Sequence, residues 1–279
     1  MKVLKFGGGC LKDAESIKKL PSILGRYSQD IIIVVSAFGK STNLLQDIYY
    51  SKKRNFGSVV EFYRKLMLDL DFKDEIIDSI IIDCLKPYLS VSFTESSMLA
   101  IGELVSSSIL SIYLKDLKFH HNLIDASKVV KTKDVGVSAN IDWESTYLNI
   151  KLMYNNFLDK PIVPIITQGF IAGFDDGKSH QVTCLGREGS DYSASIFGAV
   201  LGAKQVVLFK DVDGLYDKDP KQHNHAKIFS SLSYDQAFII CNHPNTIIHP
   251  KTIQQLQKNR IPLLIKNFYD LNQPGTMIN

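Results

Sequence analysis

The sequence predicts an α/β fold built on a mostly parallel sheet, and four stretches carry that prediction. Met1-Lys-Val-Leu-Lys-Phe6 is an apolar run around Lys5, and Gly7-Gly-Gly9 follows before a helical pattern with acids in its first turn begins near Asp13. Asp30-Ile-Ile-Ile-Val-Val-Ser36 is apolar without alternation, as a strand covered on both faces should be. Ile162-Val-Pro-Ile-Ile-Thr167 and Gln205-Val-Val-Leu-Phe-Lys210 repeat that character after intervening helical patterns.

Composition bounds the function classes. A chain of 279 residues can bury a full core, and 45% hydrophobic with 22% charged residues is the balance of a soluble globular protein. A net charge of +3, with no basic stripe interleaved with aromatics, argues against nucleic acid. Cys10, Cys84, Cys184 and Cys241 lie far apart with no C-x-x-C, which suggests reduced thiols in a cytoplasmic protein. The first residues read directly into a strand, so no secretory segment is expected, and no apolar run is expected to span a membrane.

The opening strand, glycine turn and helix aim backbone N–H groups and a positive dipole end at one point, and Lys5 adds a full charge there. Phosphate is the natural guest, although a tight turn with a solvent-reaching lysine has the same pattern. It is not a Walker A loop. Ser36 to Asn43 is a small-residue loop at the end of a strand, where open α/β sheets bind ligands, with an ordinary N-cap at Thr42 or Asn43 as the plainer explanation.

From Leu44 to Leu117 the pattern is helical, an excursion from the sheet. Within it, Glu103 sits among small and apolar residues, where an unpartnered carboxylate is expensive to bury, so it needs a cation from the protein or from a substrate. Phe119 to Asp125 reads as a short strand, Ser145 to Leu158 as a helix closed by Pro161, and Phe174-Asp-Asp-Gly-Lys178 as a hairpin turn. Gly173 to Ser179 lacks one residue of a P-loop and no helix follows it.

A second site-like stretch, Thr183 to Ala194, enters a helix of small residues. Arg187 offers a planar fork for a carboxylate or phosphate, while Ser190 and Asp191 stand where an N-cap belongs. The strand 205–210 delivers Lys210-Asp-Val-Asp-Gly-Leu-Tyr216, whose acids, glycine turn and aromatic suit a nucleotide and Mg²⁺-linked phosphates. His223 and His225 lack a third ligand at metal spacing, so no protein-held metal is expected. Helices are expected from Ser233 and over 251–259, and a last strand over 261–265.

Taken together, Lys5-Phe-Gly-Gly-Gly9, Val35-Ser-Ala37, Thr42-Asn-Leu-Leu45, Gly102-Glu-Leu-Val-Ser106, Thr167-Gln-Gly-Phe170, Leu185 to Ala194, Lys210 to Tyr216 with Asp219-Pro220, His249-Pro250 and Pro274-Gly-Thr276 resemble the aspartokinase catalytic domain from end to end. The resemblance implies the amino-acid-kinase fold, a three-layer αβα sandwich with a central mostly parallel sheet. It implies one catalytic domain over 1–279: an acceptor lobe over about 1–200 containing the helical insertion at about 44–117, and a nucleotide lobe over about 201–279; family members usually continue into ACT regulatory domains, and no ACT domain is expected within these residues. The implied activity is phosphorylation of the L-aspartate β-carboxylate by MgATP, the first step of the lysine, threonine and methionine pathway. The Mg²⁺ would be held mainly through the nucleotide phosphates, with L-aspartate and ATP as small-molecule partners, no nucleic acid, no membrane, and a homodimer allowed.

Residue by residue, the resemblance implies that Lys5 and the Gly7, Gly8 and Gly9 amides hold the transferring phosphoryl group, with Asp191 fixing the lysine. Thr42, Glu103, Phe170, Arg187 and Ser190 would form the acceptor site, Glu103 on the α-ammonium and Arg187 on the carboxylate. Lys210, Asp211, Tyr216, Asp219, Lys221 and Lys251 would lie on the nucleotide. The chain departs from the family pattern at Gly9-Cys10, where Thr-Ser is usual, at Glu188 in place of glycine, at Lys221 in place of arginine, and at Thr246 in place of a lysine whose charge Lys251 would have to replace. Those departures keep open a catalytically weak or dead paralogue that binds a ligand or partner, and an amino-acid kinase with another carboxylate acceptor.

Overall fold

A computed structural model describes residues 1–51, 55–89, 94–158, 162–218, 220, 222–223, 225–242 and 247–279. Pro161, Asp219, Lys221 and Thr246, which figure in the sequence reading, lie outside the described residues. In chain order the elements begin with β1 (Lys2–Phe6), α1 (Ala14–Lys18), α2 (Leu20–Leu24) and β2 (Ile31–Val35). Four helices follow: α3 (Ser41–Tyr50), α4 (Gly57–Asp69), α5 (Asp74–Leu89) and α6 (Glu95–Asp116). Then come β3 (Asn122–Ile124), α7 (Ala126–Val129), α8 (Trp143–Leu158), β4 (Ile165–Gln168), β5 (Ile171–Asp175) and β6 (His180–Cys184). The chain continues through α9 (Gly189–Leu201), β7 (Val206–Lys210), β8 (Ser231–Leu232), α10 (Tyr234–Cys241), α11 (Pro250–Lys258), β9 (Leu263–Asn267) and β10 (Thr276–Ile278).

Eight strands form one sheet in the order β3-β4-β2-β1-β7-β9-β10-β8, parallel throughout except where β10 meets β9. The β5–β6 hairpin stands apart as an antiparallel pair. Period-two alternation along the central strands divides the core. Leu4, Phe6, Ile33, Val35, Val207 and Phe209 face a layer containing α1 to α6, whereas Val3, Ile32, Val34, Val206 and Leu208 face α8, α9 and α11. Each such fully buried side chain stabilises by roughly 1.5–3 kcal/mol, so the double-sided strands hold the three layers together. Phe6 and Phe209 stack across adjacent strands with centroids 4.6 Å apart.

The first helical pattern is interrupted: Asp13 caps α1 through a reciprocal bond with Ser16, and Pro21 then opens α2. Neither Thr42 nor Asn43 is an N-cap, since α3 starts at Ser41 after Lys40. Helix α8 begins at Trp143, earlier than the sequence reading placed it. The closing Pro274 to Ile278 stretch supplies β10, whose antiparallel pairing with β9 was not legible beforehand. By length and composition alone α6 passes as a membrane span, against the sequence expectation; yet 72% of its most apolar window is buried in the protein, as a core helix requires.

The chain crosses from β1 to β2 on one side and reaches β7 on the other. The carboxyl end of β1 is therefore a switch point of the sheet, which leaves a crevice above Lys5 and Phe6.

Candidate active site

The crevice is bounded by the glycine loop after β1, the loop between β2 and α3, one face of α6 and the turn into α9. It forms a cleft of about 770 Å³. Lys5, Gly8, Thr42, Glu103, Arg187 and Ser190 all line it, with Gly9, Phe170 and Glu188 beside them. Sequence positions more than 180 residues apart thus share one wall.

Glycine is needed at position 8 because the backbone there is enclosed. A Cβ would stand 2.6 Å from the Ala37 carbonyl oxygen and 2.8 Å from that of Gly39. The loop is tied from below: Cys10 Sγ donates to the Phe209 carbonyl at 3.3 Å, and the Tyr269 hydroxyl donates to the Gly9 carbonyl at 2.9 Å. Cys10 is a buried, inert thiol whose pKa burial pushes up to about 12, so it offers no hydroxyl-like contact to the cleft.

Two lysines share one buried carboxylate under the cleft. Lys5 Nζ lies 2.7 Å from Asp191 Oδ1, and Lys210 Nζ lies 2.7 Å from Asp191 Oδ2. Asp191 is fully buried in the first turn of α9 and is not its N-cap, a position held by Glu188. Burial alone would raise its acid, but Lys210 and Lys5 outweigh that and hold it below the ordinary range. Burial disfavours charge on Lys210 as well, and Asp191 with Glu188 more than restores it. Glu188 Oε2 completes the chain of charges, 3.2 Å from Lys210 Nζ.

Glu103 is 3% exposed. Its Oε1 accepts from the Ala37 amide at 3.3 Å, whereas Oε2 is buried without a hydrogen-bond partner. Desolvation pushes its pKa up to about 8, opposed by the Ala37 bond and by Lys5. No salt bridge neutralises it among the described residues, so the cation that the sequence required is not a protein side chain in ion-pair contact. Hydrogen bonds tie the surrounding shell together. Phe38 N donates to Ser106 Oγ at 2.8 Å, and the buried Tyr63 hydroxyl donates to Ser41 Oγ at 2.8 Å while reaching the Gly102 carbonyl at 3.0 Å.

Phe170 holds φ +66°, strained for an aromatic residue, and its amide donates to Ser193 Oγ at 3.0 Å. That bond and the tight approach of Gly169 to Ser190 fasten the end of β4 to α9. Asp211 lies beside Gly9, and the Tyr216 hydroxyl donates to Asp213 at 3.1 Å in the loop after β7. Lys251 is exposed near the start of α11 and lines a second groove with Trp143, Tyr192 and Lys258 rather than the cleft. The sequence reading includes Ser106 in a motif without giving it a role and passes over Tyr63 and Tyr269; hydroxyls and aromatics in apolar helices and loops carry no spacing signal.

Another constellation has the order of a hydrolytic triad, with Ser127 Oγ 3.1 Å from His180 Nε2 and His180 Nδ1 2.7 Å from Asp175 Oδ1. Ser127 is 2% exposed and its hydroxyl also lies 2.7 Å from Asp125 Oδ1, so no substrate reaches it. Those bonds fasten the β5–β6 hairpin to α7. Among the described residues no group of three or more His, Cys, Asp or Glu is arranged to hold a metal ion.

The sequence pattern of the amino acid kinase family matches residues 1–267. A chloroplastic bifunctional aspartokinase/homoserine dehydrogenase of Daucus carota is 30% identical over 98% of this chain and 32% of its own length. Aspartokinase 1, chloroplastic, of Arabidopsis thaliana is 28% identical over 99% of this chain and 51% of its own. The chain thus spans a third to a half of these relatives. E. coli aspartokinase III, crystallised with aspartate and ADP, shares the fold with a TM-score of 0.87 at 23% identity, covering 100% of this chain and 64% of that one.

Proposed function

Since the chain belongs to the amino acid kinase family, we propose that it transfers the γ-phosphoryl group of ATP to the β-carboxylate of L-aspartate, giving 4-phospho-L-aspartate and ADP. The observation that carries this reading is the pairing of Glu103 and Arg187 on the walls of one cleft whose floor holds Lys5. A free amino acid supplies the ammonium that the lone Glu103 oxygen lacks and a carboxylate for the Arg187 fork. The names of the relatives, aspartokinases, favour aspartate among amino acids.

In this reading a β-carboxylate oxygen attacks the γ-phosphorus in line, and the bond to the bridging oxygen of ADP breaks. A carboxylate carries no proton to remove, so the residues supply alignment and charge. Lys5 and the amides of Gly7, Gly8 and Gly9 receive the transferring group, and Thr42, Phe170 and Ser190 border the acceptor. Asp191 is a positioning residue that holds Lys5 and Lys210 in fixed places. Lys210, Asp211 and Tyr216 would meet the nucleotide, as would Asp219 and Lys221, and Lys251 would have to reach it from the second groove. A Mg²⁺ carried on the nucleotide would neutralise phosphate charge. Residues 1–200 would hold the acceptor and 201–279 the nucleotide.

A coupled ADP-release assay over a panel of amino acids tests the proposal. Aspartate should be the fastest acceptor. Faster turnover with another amino acid would reassign the substrate, and no ADP release with any acceptor would favour a ligand-binding paralogue.

A further inference from the structure

Among the described residues, Glu188 is a cleft-lining acid paired with Lys210, a lysine that the kinase reading assigns to the nucleotide. Its backbone sits in the left-handed region at φ +52°, where a residue with a side chain is strained, and it caps α9 without a side-chain cap bond. The strain is retained while the carboxylate reaches Lys210, 3.2 Å away. Glu188 lines the cleft and is 33% exposed, the Lys210 it contacts is 12% exposed, and Asp191 is wholly enclosed. Asp191 cannot leave without stranding two lysines. Glu188 can.

Charge bookkeeping points the same way. Lys5 and Lys210 carry two positive charges, and Asp191 and Glu188 carry two negative ones. These four side chains are therefore neutral together as they stand and bring a phosphate no net charge. With Glu188 swung toward solvent, the cluster has a surplus charge of +1 at the place a phosphate oxygen would take. A carboxylate oxygen on an ammonium is also a fair chemical imitation of a phosphate oxygen on the same group.

We propose that the Glu188 carboxylate is an internal occupant of the phosphate subsite, resting on Lys210 until a phosphate of a nucleoside di- or triphosphate replaces it. Glu188 then sets nucleotide affinity, because each binding event exchanges one charge-assisted contact for another instead of adding one. This inference rests on the kinase reading above.

The test is calorimetric titration of ADP, with and without Mg²⁺, into the wild-type protein, Glu188→Gln and Glu188→Gly. Glu188→Gln keeps the shape without the charge; Glu188→Gly also relieves the left-handed backbone and should fold at least as well, which thermal unfolding checks. Metal-free ADP should bind both variants about ten- to a hundredfold more tightly than the wild type, the range of one charge-assisted contact. Unchanged or weaker metal-free binding by variants of a wild type that does bind ADP overturns the proposal and leaves the kinase reading standing. A loss confined to the Mg²⁺ titrations would make Glu188 a metal ligand and overturns it equally. If none of the three proteins binds ADP, the kinase reading falls and this proposal with it.

Discussion

Replacing Glu103 with glutamine removes a charge and leaves the shape, and its two consequences should have opposite signs. In the ligand-free protein the carboxyl titrates at about 8 against an ordinary 4.5, a difference on the order of 5 kcal/mol in favour of the neutral form. The groups facing it are the Ala37 amide, Lys5 beyond it, and the Tyr63 and Cys184 side chains, neither of which supplies a charge of opposite sign. Because the folded value is raised, stability from the neutral carboxyl is complete below the unfolded value. It is lost as pH rises from about 4.5 through about 8. Glu103→Gln should therefore melt at a higher temperature than the wild type at pH 8–9 without ligand, with the gap closing toward pH 4.5. Binding runs the other way. At pH 7 only about one molecule in ten carries an ionised Glu103, so an incoming ammonium must first expel a proton, at about 1.4 kcal/mol. Against this, the ammonium–carboxylate contact is worth roughly 1.5–3 kcal/mol. Aspartate affinity of the wild type should rise close to tenfold per pH unit up to about 8 and then level off. Calorimetry in buffers of different ionisation enthalpy should find nearly one proton released at pH 7. Glu103→Gln should bind aspartate about one to two decades more weakly at pH 9, by a smaller margin at pH 7, and release no proton. Affinity that is flat from pH 6 to 9 in the wild type would refute the reasoning.

Arg187→Ala should raise the aspartate Kd about one to two decades, the worth of a charge-assisted contact, while ADP titrations change little; equal losses for both ligands would remove Arg187 from the acceptor site. Asp191→Asn strands Lys5 and Lys210 side by side, and urea unfolding should show a loss of roughly 3–5 kcal/mol at pH 7. Since the Asp191 acid lies below its ordinary range, its stabilisation is present above the unfolded value and disappears as pH falls through the folded one; the deficit of Asp191→Asn should shrink accordingly in acid. Tyr63→Phe removes the hydroxyl that joins Ser41 to Gly102 and should cost about 1–2 kcal/mol in urea unfolding, with a higher KM for aspartate and a kcat moved less. A KM and kcat that both stay at wild-type values would make Tyr63 purely structural.

The sequence by itself determined the parallel sheet, because β1, β2 and β7 are apolar on both faces and only a doubly covered strand tolerates that. It also determined that the Glu103 carboxylate, set among small and apolar residues, required a partner if buried as a charge. It showed Glu103 in want of a cation from the residues around it, and the cleft places that oxygen in the same crevice as Arg187. The tertiary structure alone decided how the charges pair. Asp191 looks like a helix cap in sequence, yet the direction of α9 against β1 and β7 drives it between two lysines 19 and 186 residues away. Glu188 looks like an unwelcome acid at an anion site, and only a left-handed turn brings it onto Lys210. Such pairings depend on how layers are oriented, and side-chain type constrains orientation hardly at all. Local pattern fixes which groups are expensive to bury, and the packing of distant elements fixes which of them meet.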